Sequence, residues 1–246
     1  MVRYLSRILP LALLVAAPAL FGDVYELRTY TTNPGKLDAL NARFRDHTIR
    51  LFQKHGIESV GYWIPTDPEK SKNTLIYVIR HKSRDAAKAS WKAFGADPEW
   101  KAAAAASGVG RLATRPESVY MEATDYSPSW TNGKKGGVFE LRTYRTNDGK
   151  LDNLDARFRD HTIGLFRKHG MESVAYWHPL DAPDSQDTLI YVIHHASPEA
   201  AKASWKAFIE DPAWKKVAKE SQVDGQILRE RPESVYMMPT PYSAIQ

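Results

Sequence analysis

The chain is one unit written twice. Val24-Tyr25-Glu26-Leu27-Arg28-Thr29-Tyr30 recurs as Val138-Phe139-Glu140-Leu141-Arg142-Thr143-Tyr144, an offset of 114 residues. At that offset Ala42 to Ile49 matches Ala156 to Ile163 without a change, and about 54 of the 77 positions from Val24 to Trp100 are identical. The offset is 116 by Arg115 to Met121, so the second copy carries two extra residues before Arg231. Two copies with so long a period do not make a solenoid; each is long enough to be a domain. Whatever surface one copy leaves uncovered, the other leaves uncovered too, and such surfaces pair with pseudo-two-fold symmetry.

Each unit reads as β-α-β-β-α-β. Val24 to Thr31 alternates and is rich in β-formers, and Pro34-Gly35 (Asp148-Gly149 in the second copy) turns the chain. From Lys36 to His55, Leu37, Leu40, Phe44, Thr48 and Leu51 share one helical face, while Arg43, Arg50 and Lys54 lie on its flank. Ile57 to Ile64 and Asn73 to His81 are strands. Ser83 and Ser197 cap a second helix, Asp97-Pro98 and Asp211-Pro212 start a short third, and Val119 to Glu122 closes the unit as a strand. The fold class is α+β: tandem ferredoxin-like repeats, each a four-stranded antiparallel sheet with helices on one face. The bare faces are expected to meet within the chain, giving an α/β barrel with a space between the sheets. The domains are residues 23–124 and 138–246, joined by a Gly/Ser/Pro-rich linker, 125–137.

Arg3 and Arg7 precede an uncharged run from Ile8 to Phe21, interrupted by Pro10 and Pro18. A spanning helix needs about 20 apolar residues, so residues 1–22 are expected to be a signal peptide, cleaved after Ala19 or Gly22. The mature protein would then be periplasmic or secreted, with no spanning segment. The chain has no Cys, which excludes disulfides, thiolate metal sites and cysteine nucleophiles. The formal net charge of +5 is too mild to indicate a nucleic-acid partner.

ELRTYTTNPGKLDALNARFRDHTIRLFQKHGIESVGYW, TLIYVI and WKAFGADPEW resemble the NIPSNAP domain, of the dimeric α/β-barrel superfamily. The resemblance covers Val24 to about Glu122 and Val138 to about Met238. It departs at Asp148, Ala175 and Arg145, where the first copy has Pro34, Gly61 and Thr31. It implies the barrel fold and no particular chemistry.

Strand alternation puts Glu26, Arg28 and Tyr30 on one sheet face and Tyr25, Leu27 and Thr29 on the other. The apolar row is expected to meet the helices and the polar row to face the space between sheets. There Arg28 would clamp a ligand carboxylate or phosphate through its planar fork, or would merely neutralise Glu26. Tyr30, Trp63, Tyr77 and His81 complete the first candidate ligand site; Arg142, Tyr144, Trp177, Tyr191 and His195 are the second. His47 and His161 are the candidate acid/base residues, or else helix histidines bonded to a loop. His55 and His169 sit where a cation caps a helix C-terminus. No metal and no cofactor is expected, because neither H-E-x-x-H, clustered Asp nor a glycine-rich phosphate loop occurs. Two readings stand: a binding module for a small apolar or anionic ligand, a protein partner or a second copy of itself, and a cofactor-independent oxygenase- or isomerase-like enzyme.

Overall fold

The structure, a computed structural model, describes residues 22–129 and 136–245. Apart from Gly22, the expected signal segment lies outside the described residues, as does the centre of the linker.

In the first copy β1 (Val24–Thr31) leads to α1 (Leu37–Arg43), a π-helical turn (Phe44–Thr48) and α2 (Ile49–Lys54). Then come β2 (Glu58–Pro65), β3 (Thr74–His81), α3 (Arg84–Ala96), α4 (Pro98–Ala106) and β4 (Glu117–Ala123). The second copy repeats this as β5 (Val138–Arg145), α5 (Leu151–Arg157), a π-turn (Phe158–Thr162), α6 (Ile163–Lys168) and β6 (Glu172–Pro179). It ends with β7 (Thr188–His195), α7 (Pro198–Glu210), α8 (Pro212–Glu220) and β8 (Glu233–Pro239).

The caps read from the sequence form. Ser83 Oγ accepts from the Ala86 amide and Ser197 Oγ from Ala200. Asp97 accepts from the Glu99 amide and also from Lys54 Nζ and His55 Nε2, both at 2.7 Å, so the end of α2 is clamped to the start of α4. Asp211, Lys168 and His169 repeat the clamp.

The eight strands of the described residues form one closed antiparallel barrel in the order β1-β3-β2-β8-β5-β7-β6-β4. Strands within a copy pair along most of their length. The two copies join through three residue pairs at each seam: Trp63 to Pro65 against Met237 to Pro239, and Met121 to Ala123 against Trp177 to Pro179. The barrel closes within one chain, which leaves the described strands no free edge.

The face assignment made from alternation is corrected. Leu27, Ile76, Val78, Leu141, Ile190 and Val192 fill the barrel interior, whereas Glu26, Arg28 and Tyr30 lie outside it, beneath the helices. Alternation fixes which side chains share a face, not which face the helices cover. The carboxylate lies where its donors are: the helix layer and the neighbouring strands bring indole, imidazole and hydroxyl groups to Glu26, whereas the core inside the barrel is largely apolar.

The two halves are also strapped together. After β4, Tyr126 packs on Tyr176 of the second copy, its hydroxyl donates to Asp155, and Ser127 Oγ accepts from the Tyr176 amide. After β8, Tyr242 packs on Tyr62 of the first copy, its hydroxyl donates to Asn41, and Ser243 Oγ accepts from the Tyr62 amide. Each copy's tail therefore docks on the other. Tyr242→Ala is expected to cost about 2 kcal/mol through lost packing and an orphaned Asn41, read as a lower urea midpoint with an unchanged slope.

Candidate functional site

The outer face of each half-sheet holds a fully buried carboxylate. Glu26 accepts from His81 Nε2 at 3.1 Å, Trp91 Nε1 at 2.7 Å, Ser118 Oγ at 2.6 Å and the Arg28 guanidinium. Glu140 is held alike by His195, Trp205, Ser234 and Arg142. Burial pushes the Glu26 carboxyl up, but the bond from His81, the charge of Arg28 and the bonds from Ser118 and Trp91 outweigh it and hold the pKa at about 2. Glu140 sits at about 2 for the same reasons. An ionised carboxylate only accepts, so Nε2 carries the proton in each histidine; Nδ1 of both is buried without a partner among the described residues.

Beside this network a cleft opens between the sheet and the helices. In the second copy it holds two adjoining cavities of about 410 and 570 Å³, which share Tyr144, Phe208, Trp214, Arg231 and Pro232. Phe208 stands between Trp205 and Trp214, with ring centroids 5.6 and 4.4 Å away. Arg142 lies 4.4 Å over Trp205 and Arg157 5.4 Å over Trp214.

The two arginines differ. Burial opposes the charge of Arg142, yet Tyr191, Tyr144 and Glu140 outweigh it and raise its pKa. Arg157 is 6% exposed, and among the described residues no carboxylate bonds to it. Burial lowers its pKa and Tyr144 and Tyr191 offset this only in part. Among the described residues Nε of both arginines and the Tyr191 hydroxyl are buried without hydrogen-bond partners, so unused donors converge around Tyr144. The first copy repeats the set as Arg28, Arg43, Tyr77 and Tyr30, with Arg43 5.1 Å over Trp100. Burial, then Glu140, push the Tyr236 hydroxyl up to about 12, so it is a donor at neutral pH.

The π-turn delivers Arg157. Thr162 Oγ1 donates to the carbonyl of Arg157, five residues back, at 3.0 Å, and Thr48 does the same to Arg43. The widened turn buries the adjacent residues Arg157 and Phe158 together. A helix wheel of constant pitch put Arg43 on the same flank as Arg50 and Lys54; the turn separates it from them.

The structure divides the residues named from sequence. Arg28, Tyr30, Tyr77 and His81 come together beneath the helices, as do Arg142, Tyr144, Tyr191 and His195. Trp63 and Trp177 are inside the barrel, each reaching across to the other copy: Trp63 to Phe139 at 5.7 Å and Trp177 to Tyr25 at 5.6 Å. The Trp63 ring occupies space that a side chain at Gly61 would fill, since a Cβ there would stand 2.2 Å from it. His47 and His161 are exposed; His161 borders an adjoining hollow of about 260 Å³ with Asp160 and Glu220. Arg43, Arg157, Trp91, Trp100, Trp205 and Trp214 were not singled out. The signal was the tryptophan pair nine residues apart in both copies, following a duplicated Ala-Arg-Phe-Arg-Asp-His-Thr.

The architecture is similar to that of solved structures. An anthrone oxidase-like protein superposes with a TM-score of 0.60 at 15% identity, covering 90% of this chain and 93% of that one. A candidate monooxygenase from Lactobacillus acidophilus NCFM does so at 0.57 and 10%, covering 89% and 94%. A NIPSNAP family protein with unknown function, from Agrobacterium tumefaciens str. C58, is 23% identical over 44% of this chain and 93% of its own, with a TM-score of 0.39. At such identities the likeness to the first two is one of fold. No curated protein matches the chain. A family model described as NIPSNAP matches residues 25–128 and again residues 139–244. The chain therefore belongs to the NIPSNAP family and carries two NIPSNAP domains in tandem.

Proposed function

We propose that this NIPSNAP protein is an exported binding module that holds a small apolar or aromatic carboxylate in the cleft between sheet and helices. The observation that carries the reading is Arg157: a buried guanidinium, stacked on Trp214, with no carboxylate bonded to it among the described residues. An uncompensated buried charge costs several kcal/mol, and a ligand carboxylate would supply both the counter-charge and acceptors for the unused donors. The described cleft walls carry Arg142, Arg157, Arg231 and Lys202 against Glu140 and Glu230, an excess of positive charge. Trp205, Phe208 and Trp214 suit a flat apolar body.

The alternative, cofactor-independent oxygenase- or isomerase-like turnover, draws on the names of two structural neighbours. The described walls of the cleft include no histidine, and His47 and His161 point to solvent, which favours binding over proton transfer. The strand order β4-β1-β3-β2 within each copy supports the ferredoxin-like reading of the unit. Among the described residues no helix is long and apolar enough to cross a membrane. Export rests on Arg3, Arg7 and the apolar run; amino-terminal sequencing from the native host tests it, and a cytoplasmic pool starting at Met1 would count against it.

The test of binding is a thermal-shift and calorimetric comparison of benzoate and hexanoate with their uncharged amides. Both carboxylates are expected to raise the melting temperature and the amides to leave it unchanged. Equal effects of acids and amides would refute an anion site.

A further inference from the structure

A separate cavity of about 560 Å³ opens at one mouth of the barrel, at the Thr31 and Arg145 ends of β1 and β5. It lies on the other face of the strands that carry Arg28 and Arg142 and shares no residue with the cleft. Both copies line it. Its floor is three equivalent aliphatic pairs: Leu27 with Leu141, Ile76 with Ile190, Val119 with Val235. Leu27, Leu141, Ile76 and Ile190 keep 5–9% exposure, while their barrel neighbours Val78 and Val192 keep 0–1%. The cavity therefore wets apolar surface that an apolar group would dry.

Above the floor stand threonine hydroxyls (Thr29, Thr31, Thr74, Thr143, Thr188), and the rim carries Glu69, Glu117, Asp184 and Glu233 against Lys70 and Arg145. The pseudo-symmetry breaks at one position that matters. Glu233, paired in register with Thr143, is neutralised by Arg145. Glu117, its equivalent, pairs in register with Thr29, and Thr31 stands where the second copy has Arg145. Among the described residues no cation lies within 4 Å of Glu117. One side of the mouth thus offers a free carboxylate above an apolar floor.

We propose that the barrel mouth is a second binding site, selective for a small apolar amine whose tail enters between Leu27 and Leu141 and whose ammonium meets Glu117. The hydroxyls of Thr29 and Thr31 accept its remaining N–H donors, and the tail displaces water from the floor. The site exists because both copies close one barrel, and it is independent of the carboxylate cleft.

The test uses the full chain with n-hexylamine and 1-hexanol as the charged and neutral probes of equal tail. Methyl NMR is expected to show Leu27, Leu141, Ile76 and Ile190 shifting with either probe, with the amine binding about tenfold tighter, as for a hydrogen bond to a charged group. Glu117→Gln and Thr31→Arg are each expected to abolish the amine's advantage, the second by giving Glu117 the arginine that Glu233 already has. Val119→Trp should fill the mouth and weaken both probes, while Arg157→Met should leave them unchanged. Equal binding of the two probes by the unaltered chain overturns the proposal. So does an amine preference that survives Glu117→Gln or Thr31→Arg, or floor methyls that do not shift.

Discussion

Glu26→Ala is expected to destabilise the protein by about 3–5 kcal/mol, a fall in melting temperature on the order of 10 °C for a chain of this size. Glu140→Ala should do the same. The loss exceeds that of an ordinary ion pair because Glu26 is a hub. Its removal leaves Arg28, His81, Trp91 and Ser118 facing a void, three of them with donors that nothing else accepts. Arg28→Met should cost less than Glu26→Ala, since three donors to the carboxylate remain. Adding Arg28→Met to Glu26→Ala should recover only part of the loss, because His81, Trp91 and Ser118 stay orphaned. A two-partner salt bridge predicts near-complete recovery, so differential scanning calorimetry of the three variants separates a hub from a pair.

The same network sets the acid response. Both carboxyls fall from an ordinary 4.5 to about 2 on folding. A depressed folded-state pKa contributes stability that is fully present above the unfolded value and is lost as pH falls through the folded one. Stability should therefore decline between pH 4.5 and 2, by about 3 kcal/mol for each glutamate. The paired variant Glu26→Gln with Glu140→Gln should start lower at neutral pH and lose less across that window. A wild-type melting temperature that is flat from pH 4.5 to 2 would remove these carboxylates from the account.

The duplication made the architecture legible. Matched strands, caps at Ser83 and Asp97, and bare sheet faces of equal character led from sequence to a barrel closed within one chain. The choice of face was not legible, because the period of a strand is two whichever side is dry. Deciding it needs Trp91, sixty-five residues from Glu26, whose indole N–H turns the polar row toward the helices. The cleft beneath the helices was hidden for a related reason. Arg43 and Arg157 look like flanking surface cations on a helix of constant pitch. A π-turn, held by one threonine hydroxyl in each copy, turns them inward. Neither copy's sequence signals that turn, and the burial of Arg157 follows from it.

Arg157→Met is expected to act in opposite directions on stability and on binding. Arg157 has its charge buried, its Nε without a partner among the described residues and its pKa lowered by burial, and its gain from stacking on Trp214 is on the order of 1–2 kcal/mol. Methionine keeps a similar length, packs against the same indole through its thioether and removes the uncompensated charge. The melting temperature without ligand should therefore hold or rise, equivalent to about 0–2 kcal/mol. Carboxylate binding should fall at least a hundredfold, since a bidentate bond from a buried guanidinium is lost along with its charge. Arg157→Lys should keep the charge but not the planar fork, restoring part of the affinity and none of the stacking. Arg142→Met is the contrasting control: it disturbs the Glu140 hub, so it should lower stability and binding together. A structural arginine predicts another pattern, in which Arg157→Met lowers the melting temperature and leaves benzoate binding intact. Calorimetric titration of benzoate into the two methionine variants, with their melting curves, distinguishes the cases, because only a ligand-directed arginine gives a more stable protein that no longer binds.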